Sequence, residues 1–398
     1  MKTLLSKYFP SFGVRNIPLY YLLAIFLNGW FILPNWVFYF GQYISKSEIG
    51  IVEGVAIFVG ILFEVPTGAI ADLIGKKKTT LLGSMIIIIS CFVITHTTTF
   101  LGFLIGNTLS FIGLSFHSGT LEAFAYDSLV EQKKEQHYGV VTARYTTLAI
   151  FATIFSTFFG GVLYKINPGF PFYGWAVFLT VSVVIALFSQ EPKVDTLTFT
   201  LKSYVDHLRE GARALFSKNL QNYLVPILAI SIFVKLNQGI VRQSMAAYFT
   251  FTGETFGYVL AAITIPATFF SFHFDAIRSF IKERALLCMT IGIYCAAFFF
   301  AIFLHGPVAG FTIFLAITTL SILSRPLISV IMNKKIGSKH RTTTLSTVAL
   351  IAQIPYILLV VFVPALTELS NISLLYLGFS AFMGIMLLFS LRFVKAET

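Results

Sequence analysis

The sequence predicts an all-α polytopic membrane protein, with twelve transmembrane helices in two six-helix bundles. Three observations predict it: composition, the spacing of apolar runs, and an internal repeat. Of 398 residues, 57% are hydrophobic and only 11% charged, against roughly 45 to 50% and about 25% in a soluble domain. That excludes a soluble globular protein and a disordered one. With about 20 apolar residues needed per spanning helix, the length accommodates twelve spans and little extramembrane mass. The 44 Phe and 28 Gly suit a chain whose rings face lipid and whose small residues let helices approach closely.

Apolar runs broken by short polar or Gly/Pro punctuation fall near 17–40, 49–71, 79–98, 100–127, 138–163, 171–190, 220–244, 255–273, 285–304, 307–332, 342–363 and 370–391. The first is itself a full span, so the chain is expected to insert through it without a cleaved signal. The one long linker separates the sixth run from the seventh. Within it, Lys202 to Phe216 sets Tyr204, Leu208 and Leu215 among charges and reads as an interfacial amphipathic helix. The expected organisation is therefore an N-terminal bundle over 1–190, a cytoplasmic linker over 191–219 and a C-terminal bundle over 220–398. A shift of 203 residues lays Ile17 on Leu220 and Asp72 on Asp275, as two halves of like orientation would.

Charge fixes the expected orientation. With the N-terminus inside, 22 of the 28 Lys and Arg fall on that side, and only Lys46 and Lys165 fall opposite. Both termini are thus expected to be cytoplasmic, in a bacterial inner membrane. The net charge of +11 is read as topology, with no nucleic-acid partner. Cys91, Cys288 and Cys295 sit in apolar runs without CxxC spacing and are expected to be free thiols.

The remaining charges lie inside spans, where each costs roughly 2.5 to 3.5 kcal/mol on insertion scales. They are Glu53 and Glu64 in the second run, Glu122 and Asp127 in the fourth, Arg144 in the fifth, Lys235 and Arg242 in the seventh, and Arg325 in the tenth. Glu64 is the first candidate proton carrier, with a cap or strut ahead of Pro66 as its alternative; Glu53 and Glu122 are further candidates. Glu53 and Glu64, eleven residues apart, share a helix face. Ser231, Lys235, Gln238 and Arg242 are expected to form one polar stripe on the seventh span, and Asn28 and Asn35 another on the first. Lys235 could bind an anionic group, titrate, or pair with Glu53 or Glu64. Glu122 and Arg144 are expected to pair between spans four and five. Arg325, beside Pro326, could hold an anion or satisfy freed carbonyls. Trp30, Trp36, Tyr126, Gln353 and Tyr356 could line a pocket. Substrate-binding candidates are thus Asn28, Trp30, Asn35, Lys235, Gln238, Arg242, Arg325 and Gln353.

After the second run the chain reads Gly68-Ala-Ile-Ala-Asp72-Leu-Ile-Gly75-Lys76-Lys77-Lys78. This resembles the Gly-x-Leu-Ala-Asp-Arg-x-Gly-Arg-Lys loop signature of the major facilitator superfamily, in the position where that family carries it. Phe63-Glu64-Val65-Pro66-Thr67 and the stretch from Ser118 to Asp127 resemble a bacterial drug-efflux branch of it. Leu73 departs from the usual Arg or Lys, Asp275-Ala276-Ile277-Arg278 is a degenerate second copy, and the span-five antiporter signature survives only as small residues at Ala152, Ser156, Thr157, Gly160 and Gly161.

The resemblance implies a conformational latch of Gly68, Asp72, Gly75, Lys76, Lys77, Asp127 and Arg144, with Asp72 facing the eleventh span where it opens with Arg341-Thr342-Thr343-Thr344. It also implies lipid-facing third, sixth, ninth and twelfth spans, which agrees with their lack of interior charge. The expected function is secondary active transport of a small organic solute by alternating access, as proton-coupled efflux of amphipathic or drug-like compounds. Proton-coupled uptake of an anion-bearing metabolite is the alternative. No catalytic or nucleotide-binding motif is present, so the protein is expected not to be an enzyme. No cofactor or metal is expected, and the partners are the solute, protons and the lipid bilayer, around a monomer.

Overall fold

A computed structural model describes residues 11–192, 221–335, 341–369 and 372–394. The expected amphipathic helix at 202–216 lies outside the described residues, as do the side chains of 341–344. All regular structure among the described residues is helical: α1 (Ile17–Leu27), α2 (Trp36–Phe40), α3 (Lys46–Ile74), α4 (Lys76–Thr95), α5 (Phe100–His117), α6 (Thr120–Val130), α7 (Tyr138–Ile166), α8 (Phe170–Phe188), α9 (Gln221–Leu236), α10 (Ile240–Tyr248), α11 (Gly253–Phe272), α12 (Phe274–Phe280), α13 (Glu283–Ala301), α14 (Pro307–Lys335), α15 (Arg341–Leu369) and α16 (Ile372–Phe393). Among the described residues, eight helices are long and apolar enough to cross a membrane, or up to ten if each of two bent pairs counts as one span. The shorter apolar helices Ile17–Leu27 and Leu350–Pro364 fall on the first and eleventh expected runs.

Local chemistry sets the boundaries. Helix α3 opens on a capping box: the Ser45 backbone N–H and hydroxyl both donate to Glu48 at 2.8 Å, and the Glu48 N–H donates back to Ser45 Oγ at 3.2 Å. Thr99 caps α5 by accepting from the Gly102 N–H. The fourth run is interrupted at Ser118 and Gly119. Gly119 takes φ +72°, a conformation glycine adopts without steric cost, so α6 starts on a new helical phase.

The chain forms two compact units. One comprises Met1–Ile44, Val55–Leu201 and Gly253–Ala261; the other comprises Ser45–Gly54, Lys202–Thr252 and Ala262–Thr398. Helix α3 thus gives its first residues to the second unit, and α11 its first residues to the first.

In the first unit, α4 packs on α5 and α8, and α1 on α7 and α8. Its core holds an aromatic cluster of Tyr39, Phe40, Phe103 and Phe172, with the Phe40 and Phe103 rings 4.4 Å apart. Where α7 meets the start of α11, a Cβ on Gly257 would lie 2.7 Å from Gly161 Cα and 2.9 Å from the Thr157 carbonyl oxygen. Without a hydrophobic drive between helices in lipid, such close backbone approach is what dispersion packing requires. Gly257→Val is expected to destabilise by roughly 1 to 3 kcal/mol through overpacking, read as a lower unfolding midpoint of the detergent-solubilised protein.

In the second unit, α13 packs on α14 and α16, and α9 on α15 and α16. Phe233 is ringed by Tyr294, Phe298, Phe379 and Phe382. The outward faces carry large apolar side chains such as Phe188, Phe303 and Leu388, suited to acyl chains.

Candidate functional site

The seventh apolar run does not form one straight helix. It bends by 65° between α9 and α10, over Asn237, Gln238 and Gly239. Gln238 and Arg242 therefore leave the line of Ser231 and Lys235, and the continuous stripe expected from helical spacing is not formed. The first run breaks comparably, across 28–35, before α2 begins at Trp36. Asn28 and Asn35 accordingly do not share a face. Asn35 is fully buried and donates to the Gly160 carbonyl at 3.0 Å, whereas Asn28 donates to the Ala24 carbonyl at 2.8 Å and to Tyr145 Oη at 3.3 Å. The sequence signal for both breaks is a small helix-weak cluster inside an apolar run, Asn28-Gly29 and Asn237-Gln-Gly239.

The break in the second unit assembles a polar site. Glu53, on the first turns of α3, is only 5% exposed. Its carboxylate accepts from Tyr356 Oη of α15 at 2.9 Å and from the backbone N–H of Ile240, the first residue of α10, at 3.1 Å. Breaking the run frees that N–H, because the first amides of a helix have no intrahelical acceptor, and the partial positive charge of the helix start favours an anion. Arg242 is buried two residues further on; its Nη2 donates to the Gln238 carbonyl at 3.3 Å, and its charge reaches both Glu53 and Tyr356. Gly239 makes the approach possible, since a Cβ there would collide with Tyr356 Oη and the Glu53 carboxylate. On the other side of the break, Asn237 donates to Ser321 Oγ at 3.2 Å, and Ser321 pairs with Tyr294 Oη at 2.8 Å. Tyr356→Phe removes a donor to a buried carboxylate. It should cost about 1 to 3 kcal/mol, with non-additivity to Glu53→Gln in a double-mutant cycle read by thermal unfolding.

The first unit holds a second cluster where α3 passes into α4. Lys76, the first residue of α4, pairs with Asp127 at 2.5 Å, and both side chains are buried. Glu191 accepts from the Lys76 and Lys77 N–H groups at 2.6 and 2.9 Å, so its carboxylate caps α4. Lys77 Nζ donates to the Leu187 and Ser189 carbonyls at 2.7 and 2.8 Å, closing the end of α8. Asp72 and Gly68 are half-buried on the last turns of α3, and the expected neighbour of Asp72 at 341–344 lies outside the described side chains.

The second unit repeats this brace with one pair inverted. Glu283, the first residue of α13, pairs with Lys334 at 2.7 Å and with Arg278 at 3.0 Å, while Arg284 Nη2 donates to the Leu391 carbonyl at 2.8 Å.

Other expected sites are differently placed. Glu122 is exposed on the first turn of α6, within electrostatic reach of Tyr20, Tyr138 and Tyr145. Among the described residues it forms no ion pair with half-buried Arg144. Arg325 is exposed, and Glu64, Lys235 and Gln353 are half-buried. Trp30 stacks on Trp175 at 5.7 Å, and Trp36 meets Phe40 edge-on. Glu191 and Gly239 were not among the expected site residues. The first sits at the start of the linker, and the second acts through the side chain it lacks.

The family model described as Major Facilitator Superfamily matches residues 19–397. The chain belongs to the major facilitator superfamily. This facilitator is therefore an integral membrane transporter and not an enzyme. A point mutant of the nucleoside transporter NupG is similar in structure, with a TM-score of 0.79 at 13% identity over 96% of this chain and 99% of that one. An auto-inhibited POT family peptide transporter gives 0.69 at 13% over 96% and 98%. A bacterial homologue of the human lysosomal transporter Spinster, inward-facing and unoccupied, gives 0.65 at 13% over 96% and 94%. At such identities these likenesses establish the fold alone. No curated protein matches the sequence.

Proposed function

We propose that this facilitator is a twelve-span, proton-coupled secondary transporter of the bacterial inner membrane that exports small amphipathic solutes by alternating access, with both termini cytoplasmic. The observation that carries the reading is the buried Glu53 carboxylate, which ties the start of α3 to α10 and α15. A charge taken out of water is expensive unless fully satisfied. Charged Glu53 is held by an amide, a phenol and the nearby guanidinium; a proton on it weakens each of these attractions. Proton exchange at Glu53 therefore changes the strength of the contacts that close this end of the second unit, which is what coupling requires. Burial puts Glu53 ahead of half-buried Glu64 and exposed Glu122 as the coupling residue.

Uptake of an anion-bearing metabolite is the second reading, favoured by the burial of Arg242. Vesicles containing the protein, loaded with labelled amphipathic compounds and given a proton gradient in either direction, decide between them. Accumulation against inward proton flow supports export, and accumulation with it supports uptake. Solute movement indifferent to the gradient would remove the coupling.

A further inference from the structure

Glu53 sits where a ligand would. An amide at the start of a nine-residue helix and a buried tyrosine hydroxyl donate to its carboxylate, and the charge of a buried arginine two residues along that helix reaches it. These donors come from two helices of the second unit, α10 and α15, and all suit a carboxylate: the amide and hydroxyl each donate one hydrogen bond, and a guanidinium can donate two. Gly239 leaves the approach open, as a side chain there would occupy the carboxylate's own space.

We infer that these donors form a binding site for a carboxylate on the transported solute, and that Glu53 is its built-in occupant, holding the site between transport events. The inference rests on the uptake reading above and adds a substrate class to it: an amphipathic organic acid.

The two carboxylates cannot share the site, because like charges at hydrogen-bonding distance repel strongly in a buried setting. Departure of Glu53 leaves Arg242 with less negative charge beside it, and the incoming solute replaces what was lost. The exchange is one carboxylate for another at the same donors, so the site need never be left bare. A proton taken up by Glu53 lowers its hold on the donors and favours the solute. Proton and solute anion are then loaded together, which is the coupling of the uptake reading and not of export. The apolar remainder of the solute would contribute through dispersion and burial, which makes a medium-chain fatty acid a fair probe.

The test uses the full-length purified protein with octanoate as probe and octanol and octylamine as controls. Binding is read from the concentration dependence of the thermal unfolding midpoint. Glu53→Gln and Glu53→Ala are expected to bind octanoate about tenfold more tightly than wild type, since a competing internal anion has been removed. Octanol and octylamine should gain nothing. Arg242→Gln or Tyr356→Phe placed on the Glu53→Gln background should abolish the gain. Equal octanoate affinity in wild type and both Glu53 variants, or an equal gain for octanol, would overturn the inference.

Gradient-driven transport by wild-type vesicles is measured alongside. Tighter octanoate binding by the variants with no response to a proton gradient would sink the coupling reading and leave the carboxylate site standing. Gradient response without tighter binding would do the reverse.

Discussion

Glu53→Gln is expected to abolish accumulation driven by a proton gradient while leaving solute exchange across the membrane intact when no gradient is imposed. Glutamine keeps the length of the side chain and can still accept from the Ile240 N–H and the Tyr356 hydroxyl, which in the wild type lie 3.1 and 2.9 Å away. What it removes is the exchangeable proton and the charge beside Arg242. The drop in driven accumulation should be about a hundredfold, near the upper end of coupling energies of roughly 1 to 3 kcal/mol. Counterflow of labelled solute against unlabelled solute is the check on folding and binding. A variant that accumulates like wild type would take Glu53 out of the coupling. Glu64→Gln in the same assay shows whether the half-buried second carboxylate of α3 shares the role.

The second large effect is expected at the brace in the first unit. Asp127→Ala leaves the Lys76 ammonium buried without its carboxylate, since both side chains of the pair are under 10% exposed. Breaking a buried pair from one side costs about 3 to 5 kcal/mol, a large share of a total stability of about 5 to 15 kcal/mol. The variant should elute as aggregate after solubilisation, or unfold at a much lower temperature than wild type. Replacing both partners, as Lys76→Met with Asp127→Leu, should restore much of the loss, because no uncompensated charge then remains. If the double variant is no better than the single, the pair contributes more than neutralisation, and a role in movement gains weight.

Much of the architecture was legible because membrane-spanning helices announce themselves by length. A run of some 20 apolar residues has few other uses, and the family match over 19–397 agrees with the motif at Gly68–Lys78. Lys76 and Asp127 were both expected in one conformational latch, but the ion pair between them was not foreseen. What could not be read was anything dependent on helical phase across a break. Treating the seventh run as one helix put Arg242 in line with Lys235, whereas a 65° bend turns it toward the start of α3.

Glu191 was hidden for a different reason. Its work is done for backbone amides of a helix more than a hundred residues earlier, and no spacing rule records such a partner. Tyr356 was visible as an aromatic in a pocket-forming run, but its role as a donor to Glu53 needed the fold.

The inverted brace limits how far a segment of one unit can substitute for its counterpart in the other. Grafting the α13 segment into the place of α4 would set Glu283 against Asp127, and the reciprocal graft would set Lys76 against Lys334, turning each attraction into a repulsion. A tandem protein built from two copies of either half would keep its own pairing and avoid the clash. The two braces thus fit their own partners and exclude those of the other.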